Sequence, residues 1–264
     1  MAEWPARECE HFGVNQGPYG LLVLVRKVIM RKFIPFCLSL ALLVSTLGFL
    51  PAGGAKAQTA GLVSSILSRM EKNKRSLKSL RANISMTKYN SQLRDSDSYQ
   101  GVVMYIPGAG GNASSSVRLE WTRPKHEVLA VLNGNYTLCQ TRLKQCYQGK
   151  TGRIKNERDS DVLALMNMSA AQLRTRFGEF QDVHDETLGG GVWTQHFKVT
   201  PKGTASYKYI EVWVDGDGMP VQTKMVEKND DSTTVRLTNV ERNASISSDQ
   251  FKLNPDSSFK IIKG

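Results

Sequence analysis

Leu62, Val63, Ile66, Leu67 and Met70 recur at the three- and four-residue steps of a helix, so the spacing predicts an amphipathic helix over 59–74. The period then shortens to two. Leu80, Ala82, Ile84 and Met86 alternate with Arg81, Asn83, Ser85 and Thr87, which is the pattern of a strand with one buried face. A polar turn over 95–98 leads into a β-rich segment, 100–107, with Val102, Val103, Tyr105 and Ile106. After a Gly/Ser/Asn loop at 108–115, Val117, Leu119 and Trp121 alternate with Arg118 and Glu120 until Pro124 stops the strand. Another strand over 127–132 turns at Asn133-Gly134, a strong hairpin signal, and segments 136–141 and 145–149 continue the meander.

One helical interruption follows. The short, greasy segment 161–168 carries Val162, Leu163, Leu165, Met166 and Met168. Ser169 then opens a second helix with Gln172 three residues on, the spacing of a capping box, and Gly178 is placed to end it. Strands return over 193–200, 206–214, 221–227 and 232–240, with a short last one at 251–253. About nine strands, a leading helix and a mid-chain helical pair predict an α+β fold on an antiparallel sheet, in one domain with no long linker or repeat.

The first 57 residues read differently. Met30-Arg31-Lys32 is a short positive start, 33–50 is mostly apolar, and Ala55-Lys56-Ala57 supplies an A-x-A site. Eighteen residues could just span a bilayer. Pro35, Ser39, Ser45, Thr46 and Gly48 dilute the run, however, and the A-x-A site argues for cleavage after Ala57. Glu3, Glu8 and Glu10 do not suit the start of a signal, which makes Met30 a candidate initiator. The expected division is therefore 1–57, extension plus signal peptide, and 58–264, the exported domain.

Export changes how charge and cysteine are read. The chain carries a net charge of +11, and the 207 residues after Ala57 keep 29 basic and 21 acidic residues, a balance of +8. Its dense part is Lys72, Lys74, Arg75, Lys78 and Arg81 near the end of the leading helix. That group suits the helix dipole as a solvated face, or it is a docking patch for an anionic partner or lipid headgroup. Nucleic acid is an unsuitable partner for an exported chain. Cys139 and Cys146 are one even pair in an oxidising compartment, so a structural disulfide is expected across a hairpin tip.

Catalytic chemistry finds little support. His126, His184 and His196 show no ligand spacing such as i, i+4, and no cysteine stands beside them. Asp215-Gly216-Asp217-Gly218 lacks the later glutamate of a calcium loop and reads as a hairpin turn. Gly108-Ala109-Gly110-Gly111 is followed by neither Lys-Ser/Thr nor a helix, so it is no phosphate cradle. Asp159 and Asp161 read as helix-start charges. The expectation is no enzyme, no cofactor and no metal.

The positive signal is apolar. Val102-Val103, Val128-Leu129 and the run Tyr209–Val214 place large apolar residues on more than one strand face. A filled two-layer core is one reading. The other is a curved sheet with a helical lid over a hollow that takes a hydrophobic ligand. Its wall candidates are Val103, Tyr105, Leu119, Trp121, Ile210, Val212 and Val214, and its lid candidates are Leu163, Met166 and Met168, the thioethers being adaptable. Alternation defines two faces of a strand without saying which one looks inward.

The run Val117-Arg118-Leu119-Glu120-Trp121-Thr122-Arg123-Pro124, then 127–132, then Asn133-Gly134-Asn135-Tyr136, resembles the periplasmic lipoprotein carrier family (LolA-like). The tail Val235-Arg236-Leu237-Thr238-Asn239-Val240, with Asn243, Ile246 and Phe251-Lys252-Leu253-Asn254-Pro255, resembles that family's closing pattern. The resemblance implies an unclosed, strongly curved antiparallel half-barrel whose concave, apolar face is covered by the leading helix and the helical pair. It further implies a monomeric periplasmic carrier that shields the acyl chains of lipid-modified protein cargo. By the same resemblance its partners would be an inner-membrane ABC-type release complex and an outer-membrane acceptor. Ile106 stands where the family often has a lid-latching arginine, and Asn133 where Asp is usual, so any latch has to be built from other residues. Two rivals stay open: a half-barrel sensor domain that binds a protein partner, and a carrier of glycolipids or other amphiphiles.

Overall fold

The structure is a computed structural model that describes residues 54–108, 115–151 and 157–263, with side chains left out for 54–58, 157, 158, 160 and 161. Residues 1–53 of the proposed leader and the glycine-rich loop core lie outside what it describes, and the proposed cleavage site after Ala57 falls where helix has already begun. Chain contacts divide the molecule at Ala55/Lys56, and the unit Lys56–Gly264 is the subject below.

Helix α1 spans Gly54–Ser76. Six strands follow in a meander: β1 Leu80–Asn90, β2 Asp95–Ile106, β3 Ser116–Arg123, β4 Glu127–Leu132, β5 Asn135–Gln140 and β6 Gln145–Lys150. Helices α2 (Glu157–Asn167) and α3 (Ala170–Arg176) come next. A second meander follows, of β7 Phe177–Leu188, β8 Val192–Pro201, β9 Tyr207–Asp215, β10 Pro220–Glu227 and β11 Ser232–Arg242, and a short β12 (Lys260–Lys263) ends it. The order in space is β12-β6-β5-β4-β3-β2-β1-β11-β10-β9-β8-β7, one unclosed sheet of twelve strands. All pairings are antiparallel except β12 on β6, which is parallel. The first meander ends at β6 near one edge and the second starts at β7 on the other, so the chain between them must travel from edge to edge. That segment is α2–α3, and topology alone therefore lays the helical pair across the sheet.

Register names the face they cover. Directly opposed residues of an antiparallel pair point the same way. Met86 opposes Tyr99 and Val235, Val235 opposes Thr223, and Thr223 opposes Val212, which opposes Phe197. On the other side Ala82 opposes Val103, then Leu119, Leu129 and Leu138. One apolar face thus runs from β8 to β5. At the β8–β9 end it packs against Ile66, Leu67 and Met70 of α1 and Ala170 and Leu173 of α3. Towards β11, β1 and β3 it packs against Val162 and Leu165 of α2. Each such side chain, fully buried, contributes roughly 1.5–3 kcal/mol.

Local chemistry follows the sequence at most joints. Asn133 and Gly134 both have positive φ, 52° and 73°, as the tight β4–β5 turn requires. Ser169 and Gln172 form the capping box that starts α3, with Ser169 Oγ accepting from the Gln172 N–H at 3.2 Å. The Asp215–Gly218 segment is the β9–β10 hairpin turn, closed by Gly218 N–H to the Asp215 carbonyl at 3.0 Å. Cys139 and Cys146 face each other across β5–β6 and are disulfide-bonded.

Several expectations need correction. Among the described residues there are twelve strands rather than about nine, β7 and β12 being the two that were not expected. The polar residues 95–98 belong to β2, and the turn lies just before them. Gly178 does not cap α3: Phe177 already leaves the helix in an extended conformation and opens β7. The segment 251–253 is not a strand. Phe251 ends a 3₁₀ turn over Ser248–Phe251, packed against β3 and β4, with Arg118 Nη1 donating to the Gln250 carbonyl at 3.1 Å.

Candidate lid and apolar site

All seven wall candidates share the helix-covered face. Val103 opposes Leu119, Tyr105 opposes Val117, and Gly101 opposes both Ile84 and Trp121. Across β1, the same face continues through Val235 and Thr223 to Val212, with Ile210 and Val214 two residues to either side. Val103, Leu119, Trp121, Val212 and Val214 are fully buried, and Tyr105 nearly so. The structure does not bring them into one cluster. Val103, Tyr105, Leu119 and Trp121 lie under α2, whereas Val212 and Val214 lie under α1 and α3, with Ile210 packed against them.

The lid candidates divide in the same way. Leu163 and Met166 pack on the α2 side and Met168 on the α3 side. Between these halves lies a narrow apolar gap of about 60 Å³, lined chiefly by Leu165, Met168, Ile210, Met225 and Val235. Ligand sites commonly measure about 300–1,000 Å³. Among the described residues this gap is narrower than the expected hollow, the inner face around it being filled by side chains of α1, α2 and α3. Two larger spaces, about 380 and 410 Å³, are poor alternatives for a hydrocarbon. The first is lined by residues such as Lys88, Asp95, Glu227 and Asp231, the second by Glu71, Lys72 and Arg75 on α1.

What holds α2 down is polar as well as apolar. Trp121 Nε1 on β3 donates to Asp159 Oδ1 near the start of α2 at 3.0 Å, and both residues are wholly buried. At the other end, the Tyr105 hydroxyl on β2 donates to Asn167 Oδ1 at 3.3 Å and also lies 3.3 Å from Ser115 Oγ. Asn167 is itself fixed by its Nδ2, which donates to the Leu163 carbonyl at 2.9 Å. Burial pushes the Tyr105 hydroxyl above its ordinary pKa, with Ser115 acting in the opposite direction. Two aromatic residues picked as wall candidates thus also pin the two ends of α2. Asp159, read from the sequence as a helix-start charge, is the partner that reading missed. The only available signal was a carboxylate two residues into a helix that follows a strand with an inward indole.

The α1 helix is docked differently. Arg69 donates through Nη1 to the Gly216 carbonyl at 3.2 Å and through Nη2 to Gln195 Oε1. Gly218 has a φ of +89°, and a Cβ on it would run into the Arg69 carbonyl of the helix backbone. Asp215 shapes that turn by accepting from the Asp217 and Met219 N–H groups and pairs with Arg242. No helix among the described residues is long and apolar enough to cross a membrane.

Residues 114–254 match the family described as outer membrane lipoprotein carrier protein LolA, more than half of the chain. The chain belongs to this family. Among solved structures, MucB aligns with 74% of this chain and 63% of its own length, at 14% identity and a TM-score of 0.51. The chain therefore spans a little under two thirds of MucB, and the likeness is one of fold. MucB has also been solved with MucA, from Pseudomonas aeruginosa. An uncharacterized conserved protein from Thermus thermophilus aligns at 11% identity over 76% of this chain and 98% of its own, with a TM-score of 0.49. The Mycobacterium tuberculosis lipoprotein LppX aligns at 12% identity over 71% and 99%, with a TM-score of 0.44. No curated protein matches the sequence significantly. The LolA family membership agrees with an unclosed sheet covered by helices on its apolar face.

Proposed function

We propose that this chain is a periplasmic carrier that shelters the acyl chains of a lipid-modified protein beneath α2 during transfer between membranes. Membership of the LolA family supports the reading, and one observation carries it. The lid helix lies on a continuous apolar sheet face, yet it is held at its ends by two hydrogen bonds, from Trp121 and Tyr105. A helix meant only to complete a core has no need of polar fastenings at both ends. Exposed acyl chain costs about 0.8 kcal/mol per CH₂ in water, so a hydrocarbon entering the gap between Leu165, Met168, Ile210 and Met225 has ample drive to displace the lid. No nucleotide or metal is required of the carrier in this scheme. The family's release complex and acceptor would supply direction.

A second reading has an observation of its own. The narrowness of the gap is what a half-barrel with a filled interior, binding a protein partner on its surface, would show. A fluorescent acyl probe separates the two. The carrier binds it saturably, one per chain, and Ile210→Asn weakens that binding at least about tenfold while near-UV circular dichroism stays native. A chain that never takes up the probe is not an acyl carrier.

A further inference from the structure

On the opposite, outer face of the sheet, three strands bring polar groups together in a way the lid does not use. His184 on β7 is the register partner of His196 on β8, and His196 is the partner of Trp213 on β9. The two histidines stand symmetrically about the Gly190-Gly191 turn, so the hairpin itself sets them side by side. A register shift between Gln181 and His184 adds a bulge, and Asp182 within it adopts a φ of +52°. Bulges re-aim side chains, and this one turns the Asp182 carboxylate and carbonyl to the histidines.

The resulting distances are those of ligands around a shared centre. His184 Nδ1 and His196 Nδ1 are 3.4 Å apart, and Asp182 Oδ1 is 3.3 Å from His184 Nδ1. Asp182 Oδ2 lies 3.8 Å from His196 Nδ1, and the Asp182 carbonyl oxygen lies 3.0 and 3.1 Å from the two Nδ1 atoms. Bonds of about 2.0–2.1 Å in a tetrahedron put neighbouring ligand atoms about 3.3–3.4 Å apart. A supporting shell is also present. Glu186 Oε2, held by Trp213 Nε1 at 2.7 Å, lies 3.7 Å from His184 Nε2, beyond hydrogen-bond reach, and sets a negative charge behind that imidazole. His196 is buried, its ring 4.6 Å from those of both His184 and Trp213, so its orientation is fixed.

We infer that Asp182, His184 and His196 form a binding site for a borderline divalent transition-metal ion, Zn²⁺ by preference, which clips the edge strand β7 to β8. Two imidazoles and one carboxylate suit Zn²⁺, whereas Ca²⁺ and Mg²⁺ take shells of oxygen. With Asp182 and His184 exposed, a fourth position is open to water or to a donor from another molecule. The expectation of no metal, drawn from helical ligand spacings, overlooked that a sheet presents ligands across strands. The site is independent of the acyl reading.

The test is calorimetric titration of untagged, metal-stripped protein with Zn²⁺ alone, beside His184→Ala and Asp182→Asn. Both positions are exposed, and asparagine tolerates positive φ, so near-UV circular dichroism should stay native. One saturable equivalent is expected in the wild type, weakened at least about tenfold in each variant, with Co²⁺ giving the absorption of a four-coordinate centre. Absence of a saturable site, equal binding in His184→Ala, or equal binding of Ca²⁺ would overturn the inference.

Discussion

Tyr105 and Trp121 each present an apolar body to the sheet and a polar tip to the lid helix, a division of labour available to aromatic residues with one donor. Tyr105 gives this a pH signature. Burial raises its pKa above the ordinary 10.0, so the folded chain holds the phenol proton that the unfolded chain releases. The associated stability is intact below pH 10 and is lost as pH climbs through the raised value. Tyr105→Phe should therefore cost about 1 kcal/mol near neutrality, by loss of the bond to Asn167, and should flatten the decline of stability as pH rises above 10. Urea midpoints across that range measure it, and parallel declines in both proteins would exclude Tyr105 as the source. At this scale the sequence offered wall candidates but not their orientation, since parity is settled only by pairing partners. Asp159 was invisible as a partner because nothing in a helix-start carboxylate says that it will meet an indole 38 residues earlier.

Elements were legible where one face is buried and obscure where none is. β1 and β3 show strict alternation because their inner residues lie under the helices. β7 was missed because it is an edge strand with a bulge and few buried residues, so its sequence carries no clear period. β12 has only four residues and exists by virtue of its pairing with β6. The same logic explains the missed histidine pair: without β7, His184 has no partner strand. The seat of α1 gives an element-scale prediction. Gly218→Ala adds a Cβ against the Arg69 carbonyl at a left-handed backbone position, and should cost about 1–3 kcal/mol. Hydrogen exchange should show α1 amides opening more readily than those of β1–β3. An unchanged melting temperature would mean that the helix is not seated on this turn.

For the whole molecule, the proposed carrier role and a pinned helix over a narrow gap together imply that the conformation seen is the one that does not bind. Affinity for an acyl chain is then lowered by the rarity of the open form. Weakening the pin should affect two measurements in opposite directions. Trp121→Phe keeps an aromatic ring on β3 but removes the Nε1–H that donates to Asp159, together with part of the buried indole's volume. Stability should fall by about 1–2 kcal/mol, and the same energy should favour opening. An energy of about 1.4 kcal/mol corresponds to a tenfold rise in the open population, and so to roughly tenfold tighter apparent binding of the acyl probe. Ordinary damage to a site makes both quantities worse together. A site that is already open would leave affinity unchanged when the pin is cut. Only a lid whose closure competes with cargo yields a less stable protein that binds better, and melting temperature set beside probe Kd in the same preparation decides between these cases.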